Sequence, residues 1–312
     1  MTKYFITGGA GFIGSHLTDS LIKKGRVAVY DNLSSGSKEF IARHFKKNNF
    51  RFIKGDLLDE KFLNKAMAGS DFVFHLAANP DIQLSVKKPS LDFEQGNLAT
   101  FNVLEAMRKN NIKKIAFSSS STVFGEPKII PTPEDYGPLL PISTYGASKL
   151  ACEGFISAYC HIYGFSAWVF RFANVIGPRL THGAIYDFIG KLKNNKKTLE
   201  VLGDGNQSKS YIYVKDCVEG MIFGTSRADR PFNLFNLGTE ERTEVKDIAE
   251  MLLEEMGLSQ TKIIFTGGKR GWQGDVPQML LDIARIKKLG WQPKYNSRKA
   301  VIQTIKENIT NQ

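Results

Sequence analysis

The stretch Thr7-Gly8-Gly9-Ala10-Gly11-Phe12-Ile13-Gly14 decides the fold of this chain. It follows a short β-type run, Tyr4 to Ile6, and leads into a helical pattern from Phe12 to Lys24. Glycines at three-residue spacing between a strand and a helix allow a tight turn, and they let backbone N–H groups approach a pyrophosphate at the helix N-terminus. The stretch therefore predicts a dinucleotide site at the end of the first strand.

Further along the chain, short β-branched and aromatic runs alternate with longer helix-period segments. Near-continuous apolar runs of this kind are buried on both faces, which indicates a parallel sheet covered by helices. The predicted strands after the first are Val27 to Tyr30, Phe50 to Ile53, Phe72 to Phe74, Ile115 to Phe117 and Ala167 to Phe172. The predicted fold is α/β, a Rossmann-type doubly wound parallel sheet followed by a smaller C-terminal α/β lobe.

The residues that end these strands suggest which dinucleotide is bound. Asp31 closes the second strand, where a carboxylate accepts hydrogen bonds from the adenosine ribose diol and repels a 2′-phosphate, so we predict NAD rather than NADP. Asp56 follows the third strand and Ala77-Ala78 follow the fourth, at the carboxyl edge where open α/β sheets bind ligands. A glycine-rich turn beside a surface aspartate is the alternative, and the strand–loop–helix–strand frame argues against it.

Three tyrosine–lysine pairs share a four-residue spacing, and they are Tyr145/Lys149, Tyr211/Lys215 and Tyr295/Lys299. Residues four apart lie about 6 Å apart on one face of a helix, whereas on a strand the interval is about 13 Å. Tyr211 lies in a strand-like run and Tyr295 in a polar segment, which favours structural roles for both. Tyr145 opens a helix directly after the fifth strand, so only its pair is expected beside a cofactor.

This pair, with Ser120 at the end of the fifth strand, has the chemistry of proton transfer. A free phenol has a pKa of about 10, and a nearby ammonium and a positive nicotinamide ring both favour the phenolate that a base requires. Lys149 is also placed to hold the nicotinamide ribose, and the Ser120 hydroxyl to bind the same substrate oxygen as Tyr145. A polar strand exit without a chemical role is the alternative for Ser120.

The composition excludes several other classes of protein. The chain has 312 residues and a net charge of +11, but its lysines are dispersed, which is typical of a solvated surface and suits a polyanionic small ligand better than nucleic acid. No apolar run approaches the roughly 20 residues of a membrane helix and no signal-peptide pattern follows Met1, so we predict a cytoplasmic protein.

Cysteine and histidine spacing predicts neither disulfides nor a metal site. The three cysteines are Cys152, Cys160 and Cys217, and we expect them in the core or on helix faces. The five histidines are scattered along the chain. We therefore predict no metal.

Motifs along nearly the whole chain resemble the extended short-chain dehydrogenase/reductase superfamily, in particular the NAD-dependent epimerase/dehydratase family and its nucleotide-sugar 4-epimerases. The matching segments are Thr7 to Gly14, Asp31 to Gly36, Gly55 to Leu57, His75 to Ala78, Phe117 to Gly125, Tyr145 to Lys149, Arg171 to Asn174 and Leu289 to Trp291. Chance does not set all of these in order.

The resemblance implies an isomerase that interconverts UDP-glucose and UDP-galactose. Tyr145 would remove the C4 hydroxyl proton as hydride passes to NAD, and the transient 4-keto sugar would turn and take the hydride back on its other face. Ser120, Tyr145 and Lys149 are then the catalytic residues. The family also implies a homodimer in which two helices of each subunit, here near Leu98 to Arg108 and Ala147 to Tyr163, form a four-helix bundle.

The resemblance assigns two further groups of residues. The expected cofactor-binding residues are Gly8, Gly11, Phe12, Ile13, Gly14, Asp31, Asn32, Ser35, Gly36, Asp56, Leu57, Leu76, Ala77, Ala78, Tyr145, Lys149 and Phe172. The expected substrate-binding residues are Ser120, Ser121, Thr122, Tyr145, Asn174, Arg179, Lys209, Arg270 and Asp275. We expect residues 1–173 to form the NAD-binding Rossmann domain and residues 174–312 mainly the substrate-binding lobe, with some later segments returning to the first domain.

The chain departs from the family pattern at several positions. Lys209 stands where the family often has an arginine that grips phosphate, so a point charge replaces a bidentate fork. Arg270 precedes Asp275 by five residues rather than three, and Gly96 replaces an asparagine on the cofactor side. Met279 stands where the family discriminates N-acetylated sugars, and its flexible side chain is compatible with either substrate.

Two positions after Ser120 favour simple epimerisation over related reactions. Sugar dehydratases and decarboxylases of the superfamily carry an acidic residue there, whereas this chain has Ser121 and Thr122. The alternatives that stay open are an epimerase of UDP-N-acetylhexosamines or UDP-uronic acids and a nucleotide-sugar ketoreductase or dehydrogenase. A different class is a non-enzymatic NAD-sensing regulator or nucleic-acid-binding protein, which would need no intact Ser120, Tyr145 and Lys149.

Overall fold

A computed structural model describes residues 1–80, 82–272 and 274–310 of the chain. Its strands are, in chain order, β1 Lys3–Thr7, β2 Arg26–Asp31, β3 Phe50–Lys54, β4 Phe72–His75, β5 Lys114–Ser120, β6 Ser166–Phe172, β7 Asn174–Ile176, β8 Thr198–Val201, β9 Ser208–Lys209, β10 Tyr211–Tyr213, β11 Phe232–Leu237, β12 Thr243–Glu244, β13 Lys262–Phe265 and β14 Gln278–Met279.

Its α-helices are α1 Phe12–Leu21, α2 Glu60–Met67, α3 Ile82–Lys87, α4 Ser90–Asp92, α5 Ala99–Lys109, α6 Thr144–Tyr163, α7 Ala184–Asn194, α8 Val214–Arg227, α9 Val245–Glu255, α10 Ala284–Lys288 and α11 Ser297–Thr310. A π-helical segment, Phe93–Leu98, joins α4 to α5. Two 3₁₀ segments, Lys38–His44 and Ser121–Phe124, complete the regular structure.

A seven-stranded sheet in the order β11-β6-β5-β4-β1-β2-β3 organises the fold. The pairs β1–β2, β1–β4, β2–β3 and β4–β5 are parallel, and β1 faces β4 from Tyr4 opposite Phe72 to Thr7 opposite His75. The strand order reverses on either side of β1, so the crevice at its carboxyl end is the place where this type of sheet binds ligands. The predicted doubly wound α/β fold is confirmed.

The glycine stretch allows β1, α1 and β4 to pack closely. A Cβ atom on Gly14 would lie 2.1 Å from the Gly8 carbonyl oxygen, and one on Gly8 would lie 2.7 Å from the Ala77 nitrogen. Gly8 also has a φ of +67°, in the left-handed region that favours glycine. The loop therefore needs glycine at both positions to bring backbone against backbone.

The predicted strands and helices occur, with shifted ends. The first helix ends at Leu21 instead of Lys24, because Lys24 and Gly25 donate their N–H groups to the Leu21 carbonyl in a closing turn. The sequence interpretation missed β11, whose run Phe232-Asn233-Leu234 includes a polar residue. The Asn233 amide is buried and donates to the carbonyl oxygens of Ala167 and Arg230, which satisfies it at the edge of the sheet.

Contacts divide the chain into two compact units. Unit 1 comprises residues 1–123, 143–171 and 221–235, and unit 2 comprises residues 124–142, 172–220 and 236–312. This division differs from a single cut after residue 173, because residues 124–142 belong to unit 2 and residues 221–235 to unit 1. Which ligand each unit binds stays a prediction.

Each unit has its own packing. On one face of the unit 1 sheet, buried side chains of α2, α5 and α6 form a core that includes Leu63, Val103, Met107 and Ile156. Unit 2 contains the parallel pairs β7–β10 and β8–β13 and the three-stranded group β12-β9-β14. Helix α11 packs on β10 and α9, and α7 packs on α9 and β8.

The three cysteines are free and buried, as predicted for core residues. Within the described residues, no helix combines the length and the apolar content that crossing a membrane would require.

Candidate active site

The glycine turn in unit 1 presents the N-terminus of α1 without a side-chain cap. Gly11 is the N-cap residue, and the first turn of α1 holds no acidic residue. Uncapped N–H groups and the positive end of a helix dipole favour an anion, and a pyrophosphate of NAD is the anion this turn would hold. The predicted Gly8, Gly11, Phe12, Ile13 and Gly14 lie together in this turn.

Asp31 lies at the end of β2 beside the same turn. Its Oδ2 accepts a hydrogen bond from the Ala10 N–H at 2.9 Å, and its Oδ1 accepts one from the Leu33 N–H at 2.8 Å. Burial raises the pKa of this carboxyl, and the two N–H donors oppose that rise. Each carboxylate oxygen can accept a further hydrogen bond, so the two oxygens fit the ribose hydroxyl groups of NAD as acceptors.

The loop after β2 folds back over the glycine turn and brings further predicted cofactor residues close. A Cβ atom on Gly36 would lie 2.9 Å from the Ala10 carbonyl carbon, so a glycine is needed where the two loops meet. The neighbouring Ser35 is exposed. The Asn32 amide donates to Asp56 Oδ2 at 3.2 Å, which joins the ends of β2 and β3. Leu57 is buried in the core below.

The segment after β4 lines the other side of the turn. The Leu76 N–H donates to the Thr7 carbonyl at 3.2 Å, and the Ala77 N–H donates to Thr7 Oγ1 at 3.3 Å. Leu76, Ala77 and Ala78 are partly exposed. Small side chains at residues 77 and 78 leave the carboxyl edge of β4 open for a ligand.

Ser120 and Tyr145 form the candidate proton-transfer pair of unit 1. The Ser120 Oγ accepts hydrogen bonds from the Thr122 N–H at 3.2 Å and from the Thr122 Oγ1 at 2.9 Å. The Ser120 hydroxyl also lies within reach of the Tyr145 phenol and lowers its pKa as a hydrogen-bonding partner. Thr122, Ser120 and Tyr145 therefore lie together in unit 1.

Lys149 lies one turn further along α6 and is almost fully buried. Its Nζ donates to the Ser118 carbonyl at 2.7 Å and lies 4.8 Å from the Phe117 ring centre and 5.7 Å from the Tyr145 ring centre. Burial lowers the pKa of Lys149 to about 8. The ammonium is thus held near the phenol by a carbonyl and aromatic rings.

The pKa of Tyr145 in the protein chain alone is governed mainly by burial. Burial and the negative charge of Asp92 raise the pKa of the phenol above its ordinary value, and only the interaction with Ser120 lowers it. Tyr145 therefore rests as a neutral phenol in the chain alone. That Lys149 and the nicotinamide ring together favour the phenolate stays a prediction.

A buried relay that the sequence interpretation missed supports this site. Thr7 Oγ1, which accepts from the Ala77 N–H, lies 2.7 Å from His75 Nδ1, and His75 Nε2 lies 3.0 Å from Thr100 Oγ1, so both ring nitrogens are hydrogen-bonded. Burial lowers the pKa of His75 to about 3. A neutral histidine therefore joins the glycine loop to α5. The signal in the sequence was a histidine inside an apolar strand.

A buried ion pair, also missed, ties α6 to the sheet. Arg171 donates to both carboxylate oxygens of Glu153, at 3.0 and 2.7 Å, and Ser119 Oγ donates to the same carboxylate at 2.5 Å. Glu153 follows Lys149 by four residues and so shares its helix face, a spacing that a search for partners of Lys149 would have found.

The substrate-binding residues predicted after residue 171 lie in unit 2, and most of them form one group there. Lys209 Nζ is hydrogen-bonded and ion-paired with Asp275 Oδ1, and the Gly271 N–H donates to the other carboxylate oxygen at 3.1 Å. Arg270 donates to the Asp275 carbonyl at 2.5 Å and to Glu126 Oε1 at 2.7 Å. The two predicted phosphate cations are therefore each paired with a carboxylate. Glu126 was not predicted, because no motif marks it.

The remaining predicted residues of unit 2 lie on neighbouring strands and loops. Asn174 in β7 pairs with Tyr211 in β10, and the two side chains are hydrogen-bonded. Arg179 adopts a φ of +66°, which is strained for a residue with a side chain. Phe172 is buried at the end of β6, and Met279 is buried in β14.

Neither of the other two tyrosine–lysine pairs lies on one helix face, so their structural roles stay predictions. Tyr211 lies in β10 and Lys215 in α8, so the two residues do not share a helix face. The Tyr295 N–H donates to the buried Asp216 carboxylate, and Lys299 lies in α11. Among the described residues, no group of three or more histidine, cysteine, aspartate or glutamate side chains is placed to hold a metal ion.

Comparisons with known proteins agree with this architecture. The model of the NAD dependent epimerase/dehydratase family matches residues 4–238. A putative UDP-glucose 4-epimerase of Methanocaldococcus jannaschii is 34% identical over 97% of this chain and 98% of its own length.

Two solved structures are also similar to the chain. A UDP-galactose 4-epimerase is 41% identical, with a TM-score of 0.88 over 99% of both chains. A UDP-N-acetylglucosamine 4-epimerase from Methanobrevibacter ruminantium, in complex with UDP-N-acetylmuramic acid, is 30% identical, with a TM-score of 0.89 over 100% of this chain and 99% of that one.

The family match covers the glycine turn, Asp31, Ser120, Tyr145 and Lys149, and the family's name supplies the cofactor that the turn and Asp31 fit. The predicted NAD and the predicted family are both confirmed. The chain belongs to the NAD-dependent epimerase/dehydratase family.

Proposed function

We propose that the protein is an NAD-dependent nucleotide-sugar 4-epimerase that interconverts UDP-glucose and UDP-galactose. The observation that carries this proposal is the placement of Ser120 beside the Tyr145 phenol, with Lys149 on the same face of α6 and the uncapped α1 turn in the same unit. NAD, when bound, accepts a hydride from C4 of the sugar and returns it.

Tyr145 Oη takes the proton of the C4 hydroxyl as a phenolate, which requires that the phenol has first released its own proton to solvent. The Ser120 hydroxyl accepts a hydrogen bond from Thr122 and would donate one to the C4 oxygen of the sugar, which orients that oxygen. Because burial raises the pKa of Tyr145, positive charge must be near the phenol when the proton moves, and Lys149 supplies part of it. Tyr145 returns the proton to the same oxygen after the 4-keto sugar has turned.

Simple epimerisation fits the residues beside Ser120 better than dehydration does. Elimination of water requires a second acid/base group, and the two following positions hold the hydroxyl side chains of Ser121 and Thr122. Ser121 is buried, and Thr122 is engaged with Ser120. Neither side chain ionises at neutral pH, so proton and hydride transfer at C4 is the chemistry that the site supports.

UDP-sugars are proposed as substrates because similar proteins carry the names of UDP-glucose and UDP-galactose 4-epimerases. The UDP-N-acetylglucosamine 4-epimerase among the similar structures supports a second candidate, an N-acetylated UDP-sugar. Met279 is consistent with both, since its flexible side chain adapts to different neighbours. UDP-uronic acid epimerisation and nucleotide-sugar oxidation or reduction are the further alternatives.

We assign binding of the diphosphate to Asn174, Arg179, Lys209 and Arg270, with Asp275 holding Lys209. Phosphate would take the place of a carboxylate beside the cations, since the guanidinium group of Arg270 and the ammonium group of Lys209 are both paired in the chain alone. The amide of Asn174 would add a neutral hydrogen bond.

A homodimer is also proposed, in which each subunit supplies α5 and α6 to a four-helix bundle. Several apolar side chains on these helices and on the π-helical segment are exposed, and they are Phe93, Leu98, Phe101, Phe155 and Ile162. Gly154 on α6 has no atom near its Cβ position, which leaves room for a close helix neighbour. A self-complementary apolar face of this kind suits an isologous interface. We also propose a cytoplasmic location and no nucleic-acid partner.

The decisive experiment incubates the purified protein with NAD and UDP-galactose and separates the nucleotide sugars. We expect UDP-glucose to form without net NADH, because the hydride returns to the sugar. UDP-N-acetylgalactosamine and UDP-galacturonic acid serve as parallel substrates. Net NADH would indicate a dehydrogenase, and absence of conversion with all three sugars while NAD binds would contradict the proposed function.

A further inference from the structure

A buried carboxylate beside the candidate proton-transfer pair has no role in the function described so far. Asp92 is the last residue of α4, immediately before the π-helical segment, and its side chain is only 3% exposed. A charge at such depth is costly unless it is hydrogen-bonded. Its partners therefore indicate what it holds in place.

The partners of Asp92 come from α3 and its preceding loop on one side and from α6 on the other. Oδ1 accepts from Ser85 Oγ at 2.8 Å and from the Asn79 amide at 3.2 Å. Oδ2 accepts from Thr144 Oγ1 at 2.8 Å. The Asp92 backbone carbonyl accepts from Ser148 Oγ at 2.9 Å, so both its charge and its main chain are bound to the first turns of α6.

Thr144 and Ser148 flank Tyr145 on the helix. They are four residues apart, so they lie on one face of α6, and both reach the same residue. Ser148 also contacts the Asn97 side chain in the π-helical segment. The π-helical segment, which often marks functional sites, follows directly after the residue that makes these contacts.

We propose that Asp92 is a positioning residue for Tyr145: its side chain and its main chain clamp the first turns of α6 through Thr144 and Ser148, and so fix where the Tyr145 phenol lies. This inference rests on the proposed role of Tyr145. Asp92 acts through Thr144 and Ser148, so it need not contact the substrate.

The Asp92 carboxylate also acts on the ionisable groups around Tyr145. Asp92 on α4 and Cys152 on α6 raise the pKa of the phenol together with burial, while the Ser120 hydroxyl on β5 lowers it. Lys149 on α6 is the cation near the ring, and Asp92 also raises the pKa of this lysine. One carboxylate therefore favours the protonated form of both groups.

The test follows the NMR signal of isotope-labelled Tyr145 in the NAD-loaded protein, identified by its loss in Tyr145→Phe. In Asp92→Asn, which keeps the size of the side chain, we expect the Tyr145 signal to move and the phenol to ionise at lower pH. Turnover with UDP-galactose should fall at least about tenfold, while its KM changes less than about threefold, because orientation affects the reaction more than binding.

Two further variants separate the clamp from the charge. Thr144→Val removes one hydrogen bond and leaves the charge; Thr144 is exposed, so this variant is expected to fold. It should displace the Tyr145 signal with a smaller change in the pH of ionisation. Asp216→Asn is the matched control, since Asp216 is an equally buried carboxylate that binds backbone N–H groups in unit 2, and it should leave the Tyr145 signal unchanged.

An unmoved Tyr145 signal and an unchanged ionisation in both Asp92→Asn and Thr144→Val would overturn the proposal. The same result in Asp216→Asn as in Asp92→Asn would also overturn it, because the effect would then be general destabilisation. If no nucleotide sugar is converted while the signal responds as expected, the positioning role stands and the proposed function fails.

Discussion

The two groups of predicted site residues are held in place by different forces. In unit 1, Ser120, Tyr145 and Lys149 are held by hydroxyl groups, a backbone carbonyl and aromatic rings. In unit 2, Lys209 and Arg270 are each held by a carboxylate. The first group is organised without neutralising its cation, whereas the second group must exchange a carboxylate for any anion that it binds.

This difference teaches that the residues of a site can be held in place either by neutral groups or by ion pairs, with different consequences for ligand binding. The unit 1 residues are brought together by neutral groups, and burial shifts the pKa values of Tyr145 and Lys149. The unit 2 cations already have anionic partners, so the free energy of binding phosphate is reduced by the pairs that must be broken. Catalysis and affinity are therefore expected to respond to different substitutions.

The largest expected effect concerns the Tyr145 phenol of unit 1. Tyr145→Phe should lower turnover of UDP-galactose by about a hundredfold to ten-thousandfold, because it removes the acid/base group and keeps the ring. NAD should still bind, as measured by retention of the nucleotide on the purified variant. Tyr295→Phe serves as the control from a pair predicted to be structural, and near-normal turnover of Tyr145→Phe would remove Tyr145 from catalysis.

The second effect concerns how much an ion pair of unit 2 contributes to the free energy of unfolding. Lys209→Met leaves the Asp275 carboxylate buried without its cation, and we expect the free energy of unfolding to fall by about 3 kcal/mol. Denaturant titration measures this loss. Lys294→Met breaks an exposed pair with Glu219 and should cost less than about 1 kcal/mol. Equal losses for both variants would mean that the Lys209 pair is no more structural than a surface pair.

The third effect depends on the neutral histidine of unit 1. The pKa of His75 is about 3 in the folded chain and 6.5 ordinarily, so between these values the unfolded state binds a proton that the folded state does not. The free energy of unfolding should therefore fall as pH drops from 6.5 towards 3, with a contribution of about 1.4 kcal/mol per pH unit. Denaturation of His75→Gln over this range should lack that contribution, and equal pH slopes would contradict the buried neutral state.

The fourth effect concerns the cofactor. Asp31→Asn removes the negative charge at the end of β2, and we expect NAD affinity to fall about tenfold, measured by calorimetry, with little change in affinity for the UDP-sugar. Asp71→Asn changes an exposed carboxylate that accepts a backbone N–H and should leave NAD affinity unchanged. An unaltered affinity in Asp31→Asn would contradict the assignment of the ribose contact.

The smallest expected effect tests whether the substrate diphosphate replaces a carboxylate beside the cations of unit 2. Glu126→Gln removes the carboxylate beside Arg270, so the KM for UDP-galactose should fall about two- to fivefold, since both side chains are partly exposed and such pairs are weak. Glu240→Gln, which breaks an exposed pair with Lys287, is the control. A rise in KM would show that Glu126 helps to bind the substrate instead of competing with it.

The sequence by itself determined the order of strands and helices in the first half of the chain and the residues of the glycine turn. These features follow from local rules, because apolar periodicity defines the elements and glycine is needed where backbones meet, as at Gly8 and Gly14. The four-residue spacing also singled out Tyr145 and Lys149 as the one of three pairs expected on a helix face, and both residues lie in α6.

Only the tertiary structure decided the partners of those residues. Asp92 precedes Thr144 by 52 residues, and Glu126 precedes Arg270 by 144, so no sequence window contains either contact. Tertiary burial also sets the direction in which the pKa of the Tyr145 phenol departs from its ordinary value. Local pattern determines which chemical groups the chain carries, whereas long-range packing determines their charge state and what holds them.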